Sequence, residues 1–170
     1  IGRFDVNQFD ADNFYPLLGL ATSYVYCGNL PEGLRFGYAG LHMSQQLNLA
    51  PQQATMALPL GVALMAVRDP DEAATIFERA ELVAEQIESP MLLKAIRTNL
   101  AIAYRRLNRF VEAEERMQWV LTQPPGMIGG QQFAHFTATE LYIQQGRLDE
   151  AQSELQRAHQ FVDSHNPPLL

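Results

Sequence analysis

The chain has 170 residues, 47% of them hydrophobic, which is enough for one buried core or one segment of a repeat array. Its formal charge of −7 leaves no net positive field to draw in a phosphate backbone, so direct binding of nucleic acid is not expected. Cys27 is the only cysteine, which excludes an intrachain disulfide and a thiolate metal cluster and fits a reducing, cytoplasmic location.

Residues 1–10 read as an N-terminal extension, followed by a pattern that recurs to residue 164. Small side chains stand at Gly33, Ala73, Ala113 and Ala151, at spacings of 40, 40 and 38 residues. A fixed period in this range marks a stack of like units, each too small to bury its apolar face alone. A second small set lies twelve positions earlier, at Ala21, Gly61, Ala101 and Thr139, and a third seven positions later, at Gly40, Ala80, Val120 and Ala158.

The first unit, about 11–50, carries Leu20-Ala21 and Tyr24, a turn at Gly28-Asn29-Leu30-Pro31, then Gly33 and Gly37 at helical spacing. The second, about 51–89, holds the most apolar run of the chain, Ala54 to Val67, which is too short to cross a bilayer and is interrupted by Pro59. No membrane contact is expected. Its turn at Arg68-Asp69-Pro70-Asp71 is a strong helix start, because Asp69 can accept an orphaned N–H and proline suits the first helical position. The third, about 90–127, turns at Asn108-Arg109-Phe110, and the fourth, about 128–164, at Gly146-Arg147-Leu148-Asp149. Gly28, Asn108 and Gly146 suit the left-handed conformation that closes a helix, and Pro51, Pro90, Pro124 and Pro125 read as stops for the second helices. Glu32, Glu72, Glu112 and Glu150 fall in first turns, where a carboxylate complements the helix dipole.

Tyr24, Leu64, Tyr104 and Tyr142 recur three positions beyond the first small residue, sized to fill the gap between two helices. Taken with the small positions, the turns and the large apolar residues Phe77, Met117 and Leu155, the chain resembles the tetratricopeptide repeat family over residues 11 to 164. The resemblance implies an all-α fold, a right-handed superhelical solenoid of four antiparallel helix pairs, and a protein or peptide as partner. It implies no catalysis and no cofactor. The familiar unit is about 34 residues, and the longer units here are similar to those of bacterial signal-response proteins, including transcriptional activators of the maltose-regulator type. Ile1 in place of Met and the tail 165–170, ending in Leu169-Leu170, read as an excerpt of a larger protein.

In this family the first helix of each pair lines the concave side. The resemblance therefore makes Tyr15, Thr22 and Tyr26, then Thr55, Val62 and Met65, then Asn99, Ile102, Arg105 and Arg106, and last Phe133, Thr137, Glu140 and Gln144 the binding candidates. That row is aromatic and apolar at one end and polar with guanidinium groups toward the other, suiting a segment with apolar anchors and an acidic end. Lys94, Arg97, Arg105, Arg106 and Arg109 form a basic cluster. It fits two readings: an anion or small-molecule sensor site, or ion pairs to the acidic stretch Asp69 to Glu88. Self-association through an open end is a further possibility, though Gln152, Gln156, His159 and Asp163 read as a polar cap.

The remaining constellations carry little chemistry. His42, His135, His159 and His165 lack metal-ligand spacing, and Gly126, Gly129 and Gly130 around Met127-Ile128 lack the Gly-Lys-Ser/Thr ending of a phosphate loop and read as a flexible connector. No nucleophile stands beside a base, so the chain reads as a binding protein and not an enzyme.

Overall fold

The structure, a computed structural model, describes residues 11–124 and 128–165. A short 3-10 turn, Ala11–Asn13, leads into α1 (Phe14–Tyr26), α2 (Leu30–Gln46), α3 (Ala50–Ala66), α4 (Pro70–Gln86), α5 (Pro90–Arg106), α6 (Phe110–Thr122), α7 (Ile128–Gln144) and α8 (Leu148–His165). Among the described residues all regular structure is helical. Two compact units divide the chain, residues 1–99 and 100–170, with the boundary inside α5.

One turn geometry closes α1, α2, α3, α4, α5 and α7. In each, the middle residue of a three-residue link is left-handed: Gly28, Asn48, Arg68, Glu88, Asn108 and Gly146, with φ between 51° and 76°. The next N–H then reaches back five residues to a carbonyl of the last helical turn, as from Asn29 to Tyr24 (2.9 Å), Asp69 to Leu64 (2.9 Å) and Arg147 to Tyr142 (2.9 Å). This satisfies the carbonyls that a helix end would leave bare. Glycine and asparagine stand at four of these turns, Asn48 among them; Arg68 and Glu88 give no such sign, because side chains of their kind rarely take positive φ.

The prolines work differently from the expectation. Pro51 and Pro90 do not stop the second helices; they sit in the first turns of α3 and α5, where a missing N–H costs nothing. Left-handed residues make the stops instead. Pro59 does not interrupt α3, which runs unbroken from Ala50 to Ala66. Ile128, Gly129 and Gly130 belong to the first turn of α7, so the glycine connector is shorter than expected; Pro125, Gly126 and Met127 lie outside the described residues. Asp69 caps α4 as its type predicts, accepting from the Glu72 N–H at 3.1 Å.

All twelve small positions of the repeat are buried. In the first unit α1 packs on α2 and α3, and Phe14, Leu17, Phe36, Met43 and Met56 fill the space between them. Tyr24 stacks on Phe36 with ring centroids 5.5 Å apart. Gly61 faces the ring of the fully buried Phe77: a Cβ there would lie 2.6 and 2.7 Å from its Cε atoms. In the second unit α7 packs on α6 and α8.

The helix corners of the second unit share a brace. Arg109 lies over the Tyr104 ring at 4.1 Å and donates to Glu112 at 2.9 Å; Arg147 lies over Tyr142 at 4.4 Å and donates to Glu150 at 2.7 Å. These bonds hold the Glu112 and Glu150 carboxyls below their ordinary pKa. Arg147 also reaches Glu114 on α6 at 2.7 Å, tying the corner to the preceding helix.

Candidate functional site

A helix presents residues four and seven apart on one side, and the first helix of each pair keeps such a side open. One register is Tyr15, Thr55, Ala95 and Phe133; a second is Thr22, Val62, Ile102 and Glu140; a third is Tyr26, Ala66, Arg106 and Gln144. None of these twelve is buried, and the third register is exposed in all four helices. Met65 and Thr137 are corrections. They are 7% and 3% exposed: Met65 stands one position before the exposed Ala66, while Thr137 is covered although it follows Phe133 by one turn, and its hydroxyl donates to the Phe133 carbonyl at 2.9 Å.

In the first unit the open side belongs to α1 and α3, which touch. Tyr15 and Tyr26 stand 71% and 88% exposed, far more than a packing role allows. Gly19 and Val62 are exposed beside the half-buried Thr22, Thr55 and Pro59. Neither helix contains Asp, Glu, Lys, Arg or His. By contrast α4 alone carries Asp71, Glu72, Glu78, Arg79, Glu81 and Glu85. Asn99, also a candidate, is half-buried and spends an amide proton on the Ala95 carbonyl at 2.9 Å.

In the second unit the open side combines the end of α5 with α7. Phe133, Phe136, Ile143 and Gln144 are exposed on α7. Glu140 lies among them and accepts from Arg105 Nη2 at 2.7 Å.

The basic cluster does not converge on one point. Arg97 pairs backward with Glu81 and Glu85 of α4, both at 2.6 Å, as the ion-pair reading expects. Arg105 pairs forward with α7, and Arg109 within its own corner. Burial lowers the Lys94 pKa. Three cations thus already hold carboxylates, which removes most of the attraction an anion site would need.

A crevice on the other side of the first unit, lined by Leu41, Gln45, Gln53, Ala57, Ile76 and Arg79, offers about 30 Å³. That is roughly a tenth of the smallest small-molecule pockets. Among the described residues no group of His, Cys, Asp and Glu is placed to hold a metal, and no helix is long and apolar enough to cross a membrane.

Two further polar contacts escaped the sequence reading. His135 Nδ1 and Glu154 Oε2 meet at 2.7 Å in the buried seam between α7 and α8, where Glu154 also takes Arg157. A signal existed: Glu154 shares the inward side of α8 with Ala151 and Ala158, a charge in an apolar register. The other is Tyr38 on α2, whose hydroxyl donates to Glu72 of α4.

Comparison with known proteins agrees with the helix pairing. Residues 52–123 match a tetratricopeptide repeat model and residues 132–157 match a second, together more than half of the chain. No curated protein matches. Among solved structures, RapI in its apo form superposes with a TM-score of 0.79 at 12% identity, covering 92% of this chain and 58% of RapI. The TPR-like repeats of a putative kinesin light chain from Podospora anserina reach 0.76 at 17% identity, over 94% of this chain and 79% of theirs. MamA of AMB-1 reaches 0.66 at 25% identity, over 95% of this chain and 84% of its own. This chain therefore spans little more than half the length of RapI, and the likenesses are of fold.

Proposed function

Because the chain belongs to the tetratricopeptide repeat family, a family of protein-interaction modules, we propose that it docks a segment of a partner protein along the open sides of its first helices. The observation that carries this reading is the repeated register: Tyr26, Ala66, Arg106 and Gln144 stay exposed in four successive first helices, while the small residues one register away are all buried. Exposed tyrosines and phenylalanines on rigid helices supply large contact area at low entropic cost, which is what interface anchors need.

The unit length of about 40 residues supports a regulatory place in a larger bacterial signalling protein, with the partner segment recruiting or restraining attached domains. In this role the module binds and does not catalyse. The sensor reading finds less support, since the basic cluster is divided among carboxylates and the crevice at Leu41 holds about one water.

A photo-crosslinking amino acid placed in turn at Tyr26, Val62 and Gln144, and at Leu82 and Val111 on second helices, tests the assignment in the source cell. Adducts from the first three positions and none from the last two are expected. Adducts confined to Leu82 or Val111 would move the interface to the other side and end this reading.

A further inference from the structure

The docking reading leaves the chemistry of the occupant open, and the first unit narrows it. Thirty residues of α1 and α3 contain no ionisable side chain other than tyrosine, in a chain with 31 Asp, Glu, Lys and Arg residues. The charges of the first unit lie mainly on its second helices and turns. Glu32 and Arg35 pair on α2, Asp69 caps α4, and Glu81 and Glu85 hold Arg97.

What remains on the α1–α3 side is apolar surface with neutral hydroxyls. Tyr15 and Tyr26 lie on one side of α1, about 16 Å apart at the helical rise of ~1.5 Å per residue. Val62 and Ala66 of α3 are exposed on the neighbouring helix, with Thr22 and Thr55 half-buried between. Pro59 adds a polar feature. It has no N–H to give, so the Thr55 carbonyl one turn earlier lacks the donor that a regular helix would supply. The Thr55 hydroxyl cannot fill the vacancy, since it donates to the Pro51 carbonyl at 2.8 Å.

A charged side chain brought onto this surface would surrender hydration and find no counter-charge, a net cost. Aliphatic or aromatic side chains would cover Tyr15, Tyr26 and Val62 at a gain proportional to the area hidden. Serine, threonine or asparagine donors could satisfy the Thr55 carbonyl. We infer that the α1–α3 side of the first unit receives an uncharged protein segment, with two large apolar anchors about 16 Å apart and neutral hydrogen-bond donors between them. The inference rests on the docking reading above and adds the partner's chemistry. It also sets a thermodynamic signature, for affinity built on apolar burial is nearly independent of ionic strength while affinity built on ion pairs is not.

The test is a phage-displayed library of random peptides, panned on the full chain and counter-screened on the variant Tyr15→Ser/Tyr26→Ser/Val62→Ser. All three side chains are exposed, so the variant retains its helical circular dichroism. Enriched peptides are expected to carry at least two large apolar residues with no charge between them. Their Kd is expected to rise about tenfold or more on the variant and to stay within about twofold when salt is raised from low to high concentration. Peptides rich in Asp, Glu, Lys or Arg that weaken with salt yet still lose the variant would overturn the inferred chemistry and leave the docking side standing. Peptides indifferent to the variant, or no enrichment at all, would overturn the docking side itself. A dimer of the chain in sedimentation, dissolved by the same three substitutions, would give the surface to a second copy and also end the inference.

Discussion

Replacing Gly61 with alanine puts the helix-pair geometry under direct test. A Cβ at Gly61 would lie 2.6 and 2.7 Å from the Cε atoms of Phe77, and closer still to Cζ. Carbon atoms rest at about 3.5–4.0 Å, so the ring or the helix must give by roughly 1 Å. Phe77 is 0% exposed and has no free space to enter. Overpacking of this kind costs about 1–3 kcal/mol, and the better helix propensity of alanine returns about 1 kcal/mol. Gly61→Ala is therefore a net loss of about 0–2 kcal/mol. Gly19→Ala is the control. It has no atom within 4 Å of the new methyl group and gains the propensity term alone, about 1 kcal/mol. The two variants are separated by the overpacking cost itself, about 1–3 kcal/mol, or roughly 2–12 °C in Tm for a chain of this size. Gly40→Ala falls between them, because the atoms it meets belong to the flexible end of Met56. Circular dichroism melts of the three variants and of Gly61→Ala/Phe77→Leu decide the matter, the double variant recovering stability as the ring is removed. A Gly61→Ala protein as stable as Gly19→Ala would refute the close approach of α3 and α4.

The left-handed links give opposite signs by residue type. Arg68→Gly and Glu88→Gly remove positive-φ strain and raise stability by up to about 1 kcal/mol, and Gly28→Ala lowers it by a similar amount, read as shifts in melting midpoint. Tyr38 is raised above its ordinary pKa of 10.0 first by burial and then by its bond to Glu72, so folding favours the neutral phenol. That contribution is complete below pH 10 and is lost as pH rises through the folded-state value. In urea titrations the wild type loses stability above pH 10 faster than Tyr38→Phe, and parallel curves would dismiss the bond. In the second unit Glu154→Leu strips His135 of its buried partner and costs about 2–3 kcal/mol, whereas His135→Leu/Glu154→Leu recovers most of the loss. Fluorescence of Trp119, which stands in that unit, reports both unfolding curves.

The fold was legible because steric demands leave few residue choices. Ala21, Gly61, Ala101 and Thr139 recur where two helices touch, and only small side chains fit there, so the requirement is written in residue identity. Turns were half legible. Gly28, Asn108 and Gly146 advertise positive φ, whereas Arg68 and Glu88 adopt it under the demand of the flanking helices and leave no trace in residue type. Pro51 and Pro90 misled because a proline marks a boundary without saying on which side of it the helix lies. Among the candidate contacts, Met65 lies one helical position from the exposed Ala66, a rotation of about 100°, and Thr137 is buried although helical spacing places it with Phe133 and Gln144, which periodicity read across four degenerate units does not resolve.

The fate of the basic cluster shows why the binding side was harder to read than the fold. Five cations within sixteen residues look like one electrostatic feature in the sequence. Arg97 and Arg105 belong to α5 and Arg109 to the link that follows it, and each meets a carboxylate supplied by a different element: α4, α7 or the start of α6. The charge of Arg97 and Arg105 is spent on tying α5 to a neighbouring helix, and that of Arg109 on its own corner. The informative signal was the reverse of a cluster, the absence of charge from α1 and α3 in a strongly acidic chain. A net charge of −7 makes copies of the chain repel one another at long range, and the placing of the first unit's charges mainly on its second helices and turns leaves its first-helix side free to be covered by apolar contact. Salt is then expected to alter how fast charged partners approach while leaving untouched the energy of the contact that α1 and α3 make.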